Sequence, residues 1–177
     1  MRVTGIALSI LLFAMGAGAQ GVQGVLPERS LQAGAGFTYM RFYEVPGTVV
    51  STTGVNASME YFVKPWMAAE GGFDAGMGSQ LGQSTKTVFT GAGLRLQTPF
   101  SPLANIWIHG LAGGARFTPK TTFGGTGSFG YELGGGVDLM PEQHKLGLRM
   151  GVDLLGTSFF GTYQMSPKIN VGVVYKF

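Results

Sequence analysis

The sequence predicts an all-β chain, an eight-stranded antiparallel up-and-down transmembrane β-barrel preceded by a cleaved signal peptide. Three observations lead there. Charged residues make up only 12% of the 177 residues, while hydrophobic residues reach 45% and glycine fills 31 positions. A water-facing globule carries about a quarter charged residues, so this chain has too few to clothe one. Beyond the N-terminal segment no apolar run approaches the roughly 20 residues of a membrane-crossing helix. Apolarity alternates instead with period two, and the segments between alternating runs are by turns short and long.

The N-terminus has the make-up of an export signal. Arg2 supplies a positive start, Ile6 to Met15 form an apolar run broken only by Ser9, and Ala17-Gly18-Ala19 offers small residues to a peptidase. Cleavage is expected between Ala19 and Gln20, with Ala17 as the second small recognition residue, giving a signal over 1–19 and a barrel domain over 20–177. The run is too short to anchor the chain as a helix. With no cysteine in the sequence, lipoprotein processing, disulfides and thiolate chemistry are excluded.

The strands follow from alternation. Over 31–42, Leu31, Ala33, Ala35, Phe37 and Tyr39 share one face and Gln32, Gly34, Gly36 and Thr38 the other. Over 54–63, Val55, Ala57, Met59, Tyr61 and Val63 oppose Gly54, Asn56, Ser58 and Glu60. After the Lys64-Pro65-Trp66 turn, where proline is tolerated because no ladder donor is needed, Met67, Ala69, Gly71 and Phe73 oppose Ala68, Glu70, Gly72 and Asp74. Val88, Thr90, Ala92, Leu94 and Leu96 alternate with Phe89, Gly91, Gly93, Arg95 and Gln97. A fifth strand runs from about Ile106 to Phe117, and its two faces are too alike to assign. Near 128–139 the polar face carries Glu132 and Asp138; over 145–154 it carries Lys145, Arg149 and Asp153. The last strand sets Ile169, Val171, Val173, Tyr175 and Phe177 against Lys168, Asn170, Gly172, Val174 and Lys176.

Short connections are expected at 64–66, 98–105 and 141–144, and longer loops near 43–53, 75–86, 118–127 and 156–167. Such alternation fits an up-and-down barrel with short periplasmic turns, long extracellular loops and both termini periplasmic. A soluble barrel shares the period but has the opposite polarity, oily inside and wet outside. Here the polar face is mostly glycine and serine punctuated by charges of both signs, as suits a narrow filled interior. Tyr61, Trp66, Trp107, Tyr175 and Phe177 near the short turns, and Phe117, Phe129, Tyr131, Phe159 and Phe160 near the loops, are expected to form two interfacial girdles.

The ending Val171-Gly172-Val173-Val174-Tyr175-Lys176-Phe177 resembles the terminal signal read by the outer-membrane barrel assembly machinery. The mature chain as a whole resembles the OmpA-like outer-membrane β-barrel domain family. The resemblance implies the cell outer membrane as location, with its lipids, the assembly machinery and periplasmic chaperones as partners. Val171, Val173, Tyr175 and Phe177 would carry the assembly signal. Full-length members of that family add a peptidoglycan-binding domain, which this sequence lacks, so cell-wall tethering is not implied.

The lumen-facing set contains Glu60, Glu70, Glu132, Asp138 and Asp153 as acids and Arg95 and Arg149 as bases. Counting across the turns sets Glu60 opposite Glu70 and Glu132 opposite Asp153, and like charges in a narrow interior need cations between them. This set forms either a gate or proton path or a structural ionic plug, and the plug is favoured because charges in a filled barrel must satisfy one another regardless. Enzymatic chemistry is not expected: the chain has two histidines, His109 and His144, neither beside a serine that would make a nucleophile and base pair. No cofactor or metal is expected. A net charge of +3, or +2 without Arg2, gives no basic stripe for nucleic acid. Glycine patterns at Gly16, Gly18 and Gly21 and at Gly125, Gly127 and Gly130 open no helix after a strand, and Asn56-Ala57-Ser58 lies within a strand, so none carries a function. The leading expectation is a non-enzymatic barrel with a structural or surface-interaction role through its extracellular loops, whose ligand the sequence does not name. A narrow-channel porin and a lipid A-modifying enzyme are the alternatives.

Overall fold

The computed structural model describes residues 29–45, 48–80, 83–119, 125–141 and 144–177; Ala17, Ala19, Gln20 and the rest of the expected signal lie outside them. Eight strands follow one another: β1 (Ser30–Val45), β2 (Thr48–Lys64), β3 (Met67–Gln80), β4 (Gln83–Ser101), β5 (Ala104–Pro119), β6 (Thr126–Leu139), β7 (Leu146–Thr157) and β8 (Gln164–Lys176). Each pairs antiparallel with its neighbours, and β1 pairs with β8 to close the barrel. Closure leaves no unpaired sheet edge, which is the condition for strands to cross hydrocarbon.

Period-two patterning positions every side chain. Outward residues along the middle of the wall are mostly apolar and remain bare: Leu94, Val152 and Val171 are 57%, 59% and 53% exposed. Inward residues fill the lumen, and the largest fully buried one is Arg95. An oily outside around an ionic inside reverses the polarity of a soluble barrel. No helix among the described residues is long and apolar enough to cross a membrane.

The strands are longer than their alternation suggested. The segments near 43–53 and 75–86, expected to be loops, are mostly ladder: β1 runs to Val45 and β2 starts at Thr48, while β3 runs to Gln80 and β4 starts at Gln83. Pairs such as Met40↔Thr52 and Gly76↔Thr87 continue across them. Serine, threonine and glycine suit loops, but threonine is β-branched and favours strands where cross-strand neighbours support it. The strands, of 12 to 19 residues, exceed the roughly 9 to 11 that cross a membrane, so the barrel wall projects beyond the lipid. At the other end, Pro65-Trp66 and Pro102-Leu103 alone separate their strands.

Register across the β6–β7 connection departs from the count. Leu139 pairs with Leu148, so Asp138 faces Arg149, Glu132 faces Leu155 and Asp153 faces Gly134. Met140 turns its side chain inward and is 9% exposed, and Leu146 and Gly147 pair with β8, not β6. The connection therefore holds two residues more than the 141–144 turn allowed. Glu60 does face Glu70, across Pro65-Trp66.

Candidate functional site

The fifth strand decides what the lumen contains. Across β4 and β5, Arg95 pairs with His109 and Gln97 with Trp107. Directly opposed residues point to one side of a sheet, so Trp107, His109 and Leu111 enter the lumen with Arg95. Three of the aromatics expected in the girdles are thereby corrected. Trp107, Phe117 and Phe159 are buried inside the barrel, at 3%, 0% and 2% exposure. Parity decides the face for Trp107 and Phe117 on β5, whereas Phe159 enters the lumen from the 3-10 turn Phe159–Gly161 between β7 and β8. Trp66 and Phe129 do face outward.

The lumen is stratified along the barrel axis. Next to the short turns, Phe62 on β2 packs with Ala68 on β3. Above them lies an ionic tier in which charges balance. Arg149 donates from Nε to Asp138 Oδ1 at 2.8 Å and from Nη2 to Asp138 Oδ2 at 2.9 Å, and its Nη1 reaches Glu60 Oε1 and Ser58 Oγ. Arg95 donates to Asp138 Oδ2 at 2.6 Å and lies 3.7 Å from Glu60. Trp107 Nε1 donates to Asp138 Oδ1 at 3.0 Å, and the Arg95 guanidinium sits 4.4 Å from the Trp107 ring centre. Guanidinium groups suit this place because their planar fork satisfies two acceptors and stacks on an aromatic face.

A second ionic tier lies one step further along. His109 Nδ1 is 2.9 Å from Glu70 Oε1, and its Nε2 is 3.2 Å from Asp153 Oδ1 and 3.6 Å from Glu132 Oε1. Lys168 on β8 reaches Glu132 Oε2 at 2.6 Å, Asp74 Oδ2 at 2.9 Å and Asp153 Oδ2 at 3.5 Å. Asn170 donates to Asp153 Oδ2 and accepts from Asn56 Nδ2. Gly134, opposite Asp153, leaves the space its carboxylate occupies: a Cβ there would lie 1.8 Å from Oδ1. Toward the loop end, Met40, Phe42, Phe89, Leu111, Phe117, Leu155 and Phe159 close the lumen as an apolar cluster. Phe42 and Phe117 stack at 5.1 Å between centroids, and Phe159 meets Phe42 at an angle.

The residues singled out in sequence thus divide. Glu60, Arg95, Asp138 and Arg149 meet in the first tier, and Glu70, Glu132 and Asp153 in the second. Asp153 does not reach Arg149's fork but serves His109, Lys168 and Asn170. Trp107 and His109 were missed for want of a face for β5. Asp74 and Lys168 stood on the polar faces of their strands yet were left out of the ionic set. Parity carried the signal for both. Val171, Val173 and Tyr175 line the outward face of β8, and Phe177, just beyond its end, is 62% exposed with its ring edge-on to Tyr175 at 5.0 Å.

No family model matches the sequence, and no curated protein is similar to it in sequence. Solved structures are similar in fold. Neisserial surface protein A superposes with a TM-score of 0.67 at 15% identity, over 89% of this chain and 100% of that one. Ail, the attachment invasion locus protein of Yersinia pestis, gives 0.61 at 12% identity, over 85% and 100%. The N-terminal β-barrel domain of Pseudomonas aeruginosa OprF gives 0.58 at 14% identity, over 85% and 98%. The fold is that of small outer-membrane barrels.

Proposed function

We propose that this chain is a non-enzymatic barrel of the bacterial outer membrane with a sealed lumen, acting as a structural or surface-interaction protein through its loop-end rim. The observation that carries this reading is the double seal. A charge-balanced ionic tier anchored on Asp138 and an apolar cluster around Phe42, Phe117 and Phe159 obstruct the same narrow lumen at different heights. A solute would have to break an ion pair and displace packed rings in succession. Function then falls to the outside of the barrel and the strands that project beyond the lipid. Surface protein A and the attachment invasion locus protein share this architecture, and their names fit a role at the cell surface. The outer wall contributes as well. Arg41, Lys86 and Arg116 are exposed near the loop end, where cationic side chains suit the anionic headgroups of outer-membrane lipids. Val171, Val173, Tyr175 and Phe177 form the element read by the assembly machinery during delivery by periplasmic chaperones.

Single-channel recording of the refolded protein in planar bilayers tests the sealed lumen. The expected result is a quiet bilayer, and sustained discrete openings would favour a narrow porin instead. Phe42→Ala with Phe117→Ala should leave the bilayer quiet because the ionic tier remains.

A further inference from the structure

The second ionic tier carries more negative charge than its cations answer. Among the described residues, Glu70, Asp74, Glu132 and Asp153 ion-pair only with Lys168 and His109. Even with His109 protonated, four carboxylates would face two directly paired cations, because Arg95 and Arg149, which line the same cavity, are committed to Glu60 and Asp138. Uncompensated charge of that kind is costly.

The orientation of the groups suggests what compensates. Glu70 holds His109 Nδ1, Lys168 holds Glu132 Oε2, and Asn170 with Lys168 holds Asp153 Oδ2. Each outer contact leaves one atom of its partner facing inward: His109 Nε2, Glu132 Oε1 and Asp153 Oδ1, all within 4.8 Å of one another. With Nδ1–H given to Glu70, Nε2 presents a lone pair to two carboxylate oxygens. In that neutral form three acceptors converge, whereas a protonated ring would donate from Nε2 to Asp153 Oδ1 at 3.2 Å. A carboxylate behind the far nitrogen of a histidine is the usual support of a metal-binding imidazole.

The two distances from the imidazole suit an ion at the centre, and the two carboxylate oxygens lie within 4.8 Å of each other. Zinc bonds of about 2.0 to 2.1 Å in tetrahedral array place ligand atoms about 3.3 Å apart, and Nε2 lies 3.2 Å from Asp153 Oδ1 and 3.6 Å from Glu132 Oε1. The three residues line a lumen cavity of about 50 Å³, enough for a water to complete the coordination. Glu70 Oε2 and Asp74 Oδ1, buried and lining the same cavity, have no hydrogen-bond partner among the described residues, and a metal-bound water would supply donors.

We propose that His109, Glu132 and Asp153 bind one divalent transition-metal ion, zinc by preference, inside the barrel. A nitrogen with two carboxylate oxygens suits zinc better than calcium or magnesium, which take oxygen ligands throughout. The ion would link β5, β6 and β7, with Glu70 as a positioning residue. Ligands spread over three strands leave no spacing motif, which is why the sequence shows none.

The test uses untagged full barrel refolded in detergent and carrying His144→Ala, which removes the only other histidine, an exposed one. After chelation, Zn2+ is titrated calorimetrically and the loaded protein is measured by X-ray absorption. One equivalent of Zn2+ with a single imidazole among its ligands is expected. Adding His109→Ala should weaken binding at least 100-fold, and adding Glu70→Gln should weaken it about 10- to 100-fold at unchanged stoichiometry. No stoichiometric Zn2+ in the His144→Ala barrel, or bound Zn2+ without an imidazole, would overturn the proposal. Should His109→Ala fail to fold, the absorption spectrum of the His144→Ala protein decides alone.

Discussion

Asp138 and Arg149 stand directly opposite one another on β6 and β7 and close a two-pronged bond across the pair. Asp138 also accepts from Arg95 and Trp107, so one carboxylate organises two guanidiniums and an indole. It forms the keystone of the first tier because it takes two hydrogen bonds from Arg149 and one each from Arg95 and Trp107.

Arg149→Leu therefore removes one of the two guanidiniums that answer Asp138 and Glu60. Breaking a buried pair from one side costs on the order of 3 to 5 kcal/mol, and less where water enters. Urea unfolding of the refolded barrel should show a lower midpoint. Asp138→Ala should lower it further, since it leaves Arg95, Arg149 and the Trp107 N–H without their shared acceptor. An unchanged midpoint in Arg149→Leu would mean that water already satisfies this tier.

The two tryptophans provide a second check. Trp66 is 55% exposed in a short turn, whereas Trp107 is 3% exposed and lies near two guanidiniums in the lumen. Lipids brominated on their chains should quench the fluorescence of Trp107→Phe, which retains Trp66, and leave that of Trp66→Phe largely intact. Equal quenching would return Trp107 to the girdle.

How much of this was legible before the structure follows from what alternation can and cannot carry. Strand number, strand order and the faces of seven strands are readable because glycine and charge alternate with apolar residues there. β5 resists because Ile106, Ile108 and Ala112 on one side and Trp107, Leu111 and Ala115 on the other are equally apolar; only its pairing with Arg95 on β4 fixes the parity. Register over the β6–β7 connection was miscounted because an inward Met140 is not visible in composition. The loop-end strand extensions were hidden because Ser, Thr and Gly serve turns and projecting strands alike.

Glycine at the lumen wall makes room for Trp107. A Cβ on Gly151 would lie 2.8 Å from the indole, and the ring has little freedom to yield because Asp138 and Arg95 hold it. Gly151→Ala should therefore cost about 1 to 3 kcal/mol through overpacking. At Gly71 nothing lies within 4 Å of an added Cβ, and Gly71→Ala should be stabilising by about 0.4 to 1 kcal/mol because it restricts the unfolded chain. Denaturant midpoints of the two variants, measured side by side, should move in opposite directions.

Phe177 follows directly on β8, its amide donating to Leu31 O at 3.0 Å and its ring packed edge-on against Tyr175. Two roles make different demands on it. As an anchor at the membrane interface, the ring contributes apolar burial, and Phe177→Ala would lower stability by about 1 to 3 kcal/mol while insertion in cells proceeded normally. As part of the element read before insertion, together with Val171, Val173 and Tyr175, the ring is needed while the strand is still unpaired. The same change would then make unfolded protein accumulate in the periplasm, although the purified variant still folds into detergent. The second outcome is expected, because the backbone bond to Leu31 survives the substitution and keeps the closing strand in register. Heat-modifiable gel mobility of outer-membrane fractions reads it directly: normal levels of folded Phe177→Ala would remove the recognition role and leave only the anchor.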